Sequence, residues 1–293
     1  MKPLAAGAAY DRAAERAAAT VIDRYSTSFG AAARLLGRPV RGRVRSVYAL
    51  VRVADEIVDG AAADHGLGPA DISRELDAYE ARTEQALADG FSTDLVVHAF
   101  ARAARATGIG PDLTRPFFSS MRMDLTRSHH DDASFSAYVH GSAEAVELMC
   151  LRIFATDRSP QPVAPDPVLL DGARRLGAAF QKVNFLRDLA ADHDGRGRDY
   201  FPGIDPRRLD DGQRDALCEN IEADLAAAAD AIALLPRSSR LAVRAAHDLF
   251  AELVAQLRAV PAARLRTTRV RVSAPRKALV LARAAARTEG GRR

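Results

Sequence analysis

Phe180-Gln181-Lys182-Val183-Asn184-Phe185-Leu186-Arg187-Asp188-Leu189-Ala190-Ala191-Asp192 runs one polar stripe through an apolar segment. At 3.6 residues per turn Gln181, Asn184, Asp188 and Asp192 fall at i, i+3, i+7 and i+11 on a single helix face, flanked by Phe180, Val183 and Phe185. Far upstream, Val53-Ala54-Asp55-Glu56-Ile57-Val58-Asp59-Gly60 repeats the four-residue step with Asp55 and Asp59. Each pair points two carboxylates at one volume, which is costly unless a cation lies between them. Hard divalent cations such as Mg²⁺ take oxygen ligands and bridge one or two carboxylates to phosphates. The two boxes therefore read as carboxylate walls holding metal ions around a diphosphate. With 38 acidic residues in 293 the chain also yields such pairs by composition alone, most of them solvated helix faces. The apolar surroundings, and polar or basic residues one turn upstream, set these two apart. For the second box the competing reading is an exposed stripe whose apolar neighbours face the core.

Outward from the boxes the chain is rich in alanine, leucine and arginine, all helix formers, and poor in alternating strand-like runs. The pattern predicts helices near 11–24, 41–60, 72–89, 93–107, 112–127, 134–156, 166–194, 211–234, 238–260 and 275–288. Gly and Pro break them at Gly37-Arg38-Pro39, Gly108-Ile109-Gly110-Pro111, Ser159-Pro160-Gln161-Pro162 and Phe201-Pro202-Gly203. No break resembles a domain linker and no repeat of fixed period stands out. The expectation is a single all-α domain over residues 1–293, a helical bundle whose facing helices build a site in its core. About ten N-terminal and about five C-terminal residues read as frayed.

At 48% hydrophobic the chain can bury a sizeable core, and its net charge of +4 reflects an arginine surplus that suits an anionic partner. Two cysteines without metal-type spacing, Cys150 and Cys218, fit a reducing cytosol. Met1 to Arg16 lack the apolar segment of a signal peptide, and no apolar run approaches the roughly twenty residues that cross a bilayer. The expected location is cytoplasmic, with peripheral contact at a membrane surface if the substrate is a lipid. The basic run Arg264 to Lys277 has no interleaved aromatics, so no nucleic-acid partner is expected; it reads as a phosphate-facing or solvated segment. Gly108-x-Gly110 lacks the strand and third glycine of a dinucleotide fingerprint.

Several further residues have two readings. Arg52, one turn before Asp55, either grips phosphate oxygens or forms a helical ion pair with Asp55 or Glu56. Tyr25-Ser26-Thr27-Ser28-Phe29-Gly30 offers three hydroxyls, and alone reads as a cap or turn. Met121 to Asp124 and Tyr138 to Glu144 lie on helix-like segments that either pack or leave room for a long ligand. His129-His130-Asp131-Asp132 reads as a polar loop before a helix rather than a metal cluster.

Taken together these segments resemble the squalene/phytoene synthase family of head-to-head prenyl synthases, and most of all its bacterial phytoene synthases. The likeness runs from about Tyr25 to Lys277 through Ser26-Thr27-Ser28-Phe29, Tyr48 to Gly60, Met121 to Leu125, Tyr138 to Glu144, Phe180 to Asp192, Arg196 to Pro202 and Arg269 to Ser273, in family order. It implies a single isoprenoid-synthase bundle with a central cavity between two aspartate-rich helices. It also implies a prenyltransferase of carotenoid and isoprenoid biosynthesis that joins two geranylgeranyl diphosphates to phytoene through a cyclopropylcarbinyl diphosphate. In that role Asp55, Asp59, Asp188 and Asp192 would hold Mg²⁺ (or Mn²⁺), with Asn184 as a further ligand. Arg52, Lys182, Arg187 and Arg269 would meet diphosphate oxygens, Tyr48 and Gln181 would orient them, and Ser28, Phe29 and Tyr138 would contact substrate. Phe29, Phe180 and Phe185 are candidates for stabilising a carbocation.

The chain departs from the family's habit at Glu147, often Gly, and His140, often Tyr, which puts the pocket's shape and the substrate's length in question. Squalene, dehydrosqualene or hydroxysqualene formation from farnesyl diphosphate is the neighbouring alternative. Squalene formation needs a nicotinamide cofactor, whereas the phytoene reaction needs none. A non-catalytic binding or assembly relative is the alternative of another class; such a relative is expected to lose metal carboxylates, and all four aspartates are present.

Overall fold

The structure is a computed structural model that describes residues 6–26, 28–195 and 197–290. Among them there is no strand, and the helices follow one another as α1 (Ala6–Tyr25), α2 (Ser28–Ala33), α3 (Arg38–Asp59), α4 (Ala61–Asp64), α5 (Pro69–Asp89), α6 (Leu95–Thr107), α7 (Pro111–Thr126), α8 (Asp132–Val139), α9 (Ala145–Ala155), α10 (Pro167–Ala190), α11 (Asp211–Leu234), α12 (Arg237–Ala259), α13 (Ala262–Leu265) and α14 (Ala274–Gly290). Local chemistry sets the boundaries. Proline stands in the first turn of α3, α5, α7 and α10, where its missing N–H costs nothing. Asp94, Asp131, Asp166 and Asp210 accept backbone N–H groups at the starts of α6, α8, α10 and α11. Helix α3 ends at Asp59 because the next residue, Gly60, adopts φ +149°, a conformation L side chains resist.

The all-α expectation holds, with three differences in detail. Helix α1 already begins at Ala6, inside the stretch read as frayed, and the Tyr10 hydroxyl ties it to the Ser92 carbonyl at 2.8 Å. The helix expected over 134–156 is split by a π-turn at His140–Glu144, and the one expected over 166–194 ends in a second π-turn at Ala191–Gly195. Periodicity alone cannot show these turns, since each adds one residue to an otherwise continuous helix.

Two apolar clusters fill the bundle. One is built on α3, α5, α6, α7 and α9, with Tyr79, Phe100, Phe117 and Phe118 at its centre. The other is built on α10, α11 and α12, around Leu186, Ile221 and Leu257. Helices α3 and α10, which carry the acidic boxes, both pack against α9. The first π-turn is gripped from two sides. A Cβ on Gly141 would collide with the Pro116 carbonyl of α7, and one on Gly177 of α10 would meet the Ala143 carbonyl at 2.9 Å. Only glycine permits this approach, which fixes α10 against α7 at the level of the site.

Candidate active site

Asp55 and Asp59 leave the last turn of α3 side by side, each about a third exposed. Burial, with repulsion from Asp59, pushes the Asp55 carboxyl up to about 8, against the opposing pull of Arg52. That is the signature of a pair short of positive charge. Arg52 forms the helical ion pair foreseen as its alternative, bonding Glu56 and standing 3.9 Å from Asp55, with its guanidinium 4.5 Å above the Tyr25 ring. Tyr48, one turn earlier, bonds Ser26, and burial raises its phenol's pKa.

The second box is arranged differently. Gln181, Asn184 and Asp188 are half-buried along α10, and Asp192 is buried in the π-turn that follows. Asp188 is held by two guanidinium groups: Arg187 at 2.5 and 3.0 Å, and Arg269, which donates Nε to Oδ1 at 2.7 Å and Nη2 to Oδ2 at 3.1 Å. Lys182 does not join this group. Its Nζ donates to Asn220 Oδ1 and Asp224 Oδ2 on α11, both at 2.7 Å, a bond between helices and apart from the diphosphate contact expected of it. The reason is angular: six residues from Asp188, it leaves α10 well away from the polar stripe. Ser28 and Phe29 lie in α2, but their side chains are outside the described residues. Phe185 is buried, and one face of its ring stacks on Tyr200 with centroids 4.0 Å apart.

Between the boxes stands a buried polar cluster of Asp124, Arg198 and Tyr200, matched only as family wording, with Tyr138, expected to contact substrate. Asp124 of α7, 5% exposed in its side chain, accepts Tyr138 Oη at 2.8 Å and Tyr200 Oη at 2.9 Å. Arg198 lies 3.5 Å from Asp124 and donates to Asp59 Oδ1 at 2.7 Å and the Val58 carbonyl at 3.3 Å. Burial raises Asp124 to about 6 although Arg198, Tyr138 and Tyr200 all favour its charged form. Burial opposes the charge of Arg198, but Asp124, Tyr200 and Asp59 outweigh it and keep the guanidinium protonated. Tyr138 thus supports the site from below. The signal for Asp124 was present in the sequence as a lone carboxylate on an otherwise apolar helix face. Nearby, the polar-loop reading of residues 129–132 holds for Asp131, which caps α8, but His130 is buried and stacked on Tyr200.

Two narrow cavities lie further back along α10. The proximal one is lined by Ala32, Ala33, Val44, Phe180 and Ala246, among others. The distal one is lined by Leu169, Gly172, Ala228 and Ile232. Both include Glu147, Phe154, Leu176 and Val243 in their walls. At 1.5 Å per residue, Phe180 lies about 12 Å from Asp188 along α10, Leu176 about 18 Å and Leu169 about 28 Å. His140, the other departure from family habit, bonds Glu144 at 3.0 Å within the first π-turn.

Comparison with known proteins agrees with this arrangement. A family model for squalene/phytoene synthases matches residues 22–276. The chain is 32% identical over 197 residues to phytoene synthase 1 of Arabidopsis thaliana, covering 67% of this chain and 43% of that protein. It is 30% identical over 195 residues to phytoene synthase 2 of Solanum lycopersicum, covering 66% and 58%. The aligned part thus spans only about half the length of these relatives. Among solved structures, a dehydrosqualene synthase superposes with a TM-score of 0.78 at 19% identity, covering 96% of this chain and 98% of that one. The squalene synthase HpnC of Alicyclobacillus acidocaldarius gives 0.73 at 18%, covering 86% and 95%. At such identities the structural likeness concerns the fold.

Proposed function

The chain belongs to the squalene/phytoene synthase family, and from that premise we propose that it is a prenyltransferase that joins two geranylgeranyl diphosphates head to head into phytoene. The observation that carries this reading is the pair of apolar cavities in series behind the polar stripe of α10, walled at the near end by Ala32 and Ala33. A diphosphate at Asp55, Asp59 and Asp188 would send its chain into them.

The donor set suits a hard divalent cation. Asp55 and Asp59 offer adjacent carboxylate oxygens, and the raised Asp55 marks unmet demand for positive charge. Among the described residues no three acidic, imidazole or thiol groups gather closely enough to enclose a metal by themselves. Mg²⁺ or Mn²⁺ would complete its shell with phosphate and water. Asp55 and Asp59 on one side, and Asp188, Asp192 and Asn184 on the other, would each hold such ions together with the diphosphate, and the ions would neutralise the charge growing on the departing group. Arg187 and Arg269 are placed to exchange Asp188 for diphosphate oxygens, and Gln181 and Tyr48 to orient them. As C1–O of one substrate breaks, diphosphate leaves with the bonding pair. The double bond of the second substrate attacks the allylic cation and loses a proton, giving the cyclopropylcarbinyl diphosphate. A second departure of diphosphate, rearrangement and proton loss give phytoene, so two substrates yield one hydrocarbon, two diphosphates and two protons without a reductant. The cavity walls exclude the water that would quench these cations.

This reading treats residues 1–293 as one synthase domain. It places the protein in the cytoplasm and at a membrane surface when it takes up or delivers its lipid. Among the described residues no helix is long and apolar enough to cross a membrane. A second reading draws on Glu147, which stands in the wall common to both cavities: a shorter farnesyl chain would occupy the proximal one alone and lead to dehydrosqualene, hydroxysqualene or squalene. The deciding experiment supplies purified protein with Mg²⁺ and either diphosphate, without a nicotinamide cofactor, and identifies the hydrocarbon by mass. Phytoene from the longer substrate supports the first reading. Product only from the shorter one moves the assignment to the second, and no product from either favours a binding protein.

A further inference from the structure

Glu147 is the sole charged residue in the walls of the two cavities, and it belongs to both. With Phe154, Leu176 and Val243 it stands in the wall that the two cavities share. No hydrogen bond or ion pair holds its carboxyl among the described residues, and burial alone pushes it up to about 7. An unpaired carboxylate in such surroundings is expensive, and nothing in the fold uses it.

We propose that Glu147 is the chain-length selector of this site: its carboxyl stands where a prenyl chain leaves the proximal cavity for the distal one, so a long chain must pack against it and a short chain need not. The inference rests on the prenyl diphosphate reading above. A chain that passes this wall strips water from the carboxyl. When the group is neutral this costs little, and when it is ionised the cost falls on the longer chain alone. From α2, α3, α10, α11 and α12 only apolar residues line the cavities around it. From α9 Cys150 also lines the proximal cavity, its thiol held well above its ordinary value by burial and Glu147, while Arg152 is outside both linings and bonds the Gly108 carbonyl and Asp112. Glu147 is therefore the one group there that changes charge near neutrality.

The test measures binding of unreactive farnesyl and geranylgeranyl thiodiphosphates by calorimetry with Mg²⁺ across pH 6 to 8.5. The shared headgroup titrates alike in both, so the ratio of the two affinities isolates the chain. In the wild type the preference for the longer chain should fall at least about tenfold as pH rises through 7. Glu147→Gln should make the ratio independent of pH, and Glu147→Leu should hold it at or above its low-pH value. A flat ratio in the wild type overturns the proposal, as does a slope that persists in Glu147→Gln. If both chains bind with such a flat ratio, the prenyl reading stands and the selector falls. If neither chain binds at any pH, both fall together.

Discussion

Arg198 closes the cleft by reaching from the segment after the second acidic box to the last carboxylate of the first, Nη1 to Asp59 Oδ1 at 2.7 Å. The bond joins two helix ends 139 residues apart in sequence and lies over Asp124, which has nowhere else to find a full positive charge.

Removing that guanidinium should be costly. Arg198→Met leaves Asp124 buried without its counter-charge, and a loss of about 3 kcal/mol of unfolding free energy is expected. Urea unfolding checks it, and adding Asp124→Asn to the same chain should recover part of the loss. Equal stability of Arg198→Met and wild type would show that the cluster is not held by this ion pair.

Asp188→Ala should lower turnover at least about 100-fold, because it removes both a metal ligand and the group that positions Arg187 and Arg269. The side chain sits at the edge of the cleft, so the thermal midpoint should stay within a few degrees of wild type. Normal turnover at an unchanged midpoint would remove Asp188 from the metal site.

Lys182 and Arg269 should separate cleanly in steady-state kinetics. Lys182→Met should leave KM for the diphosphate within about twofold and cost about 1 kcal/mol of stability, since Lys182 bonds Asp224, which Arg175 also holds. Arg269→Met should raise KM with little change in stability, because its side chain is half exposed. A raised KM in Lys182→Met would restore the diphosphate role that its position argues against.

Gly177→Ala should destabilise by about 1–3 kcal/mol, because the added methyl meets the Ala143 carbonyl of a backbone that cannot give way. Denaturant midpoints test this, with Gly7→Ala as the control: it has open space around its Cβ and should gain stability slightly.

Glu147→Gln should stabilise the protein in a pH-dependent way. The folded carboxyl titrates near 7 and the unfolded one near 4.5, so the folded state binds more protons between these values. Wild-type stability from this group is thus present below about 4.5 and lost as pH rises to 7. The variant's advantage should be small at pH 5 and on the order of 2 kcal/mol at pH 8. Thermal melts at both values would show it, and an advantage that does not grow with pH would place the carboxyl in water.

Helix content and the two boxes were legible because they are periodic, and periodicity survives without tertiary knowledge. The π-turns were not, because each interrupts the period by a single residue, the first where Gly141 and Gly177 let neighbouring helices approach closely. The roles of Asp124, Arg198 and Tyr200 were hidden for a similar reason: each is ordinary in its own segment, and only packing unites them. Lys182 drew notice as a basic residue inside an acidic motif, but the sequence did not show that its angle on α10 sends it to Asp224. Glu147 stood out in the sequence, and the structure adds that its place is in the wall that two cavities share.

The two aspartate pairs are twins in the sequence, yet the pairing of Asp188 with Arg187 and Arg269 makes them opposites in the folded chain. The α3 side keeps an excess of anionic groups, and the α10 side offers two guanidinium groups around one carboxylate. The cleft is thus polarised from bank to bank. On the prenyl diphosphate reading proposed above, a cation drifting in would be drawn first toward α3 and a diphosphate toward α10, so each visitor would find its own shore before the two meet.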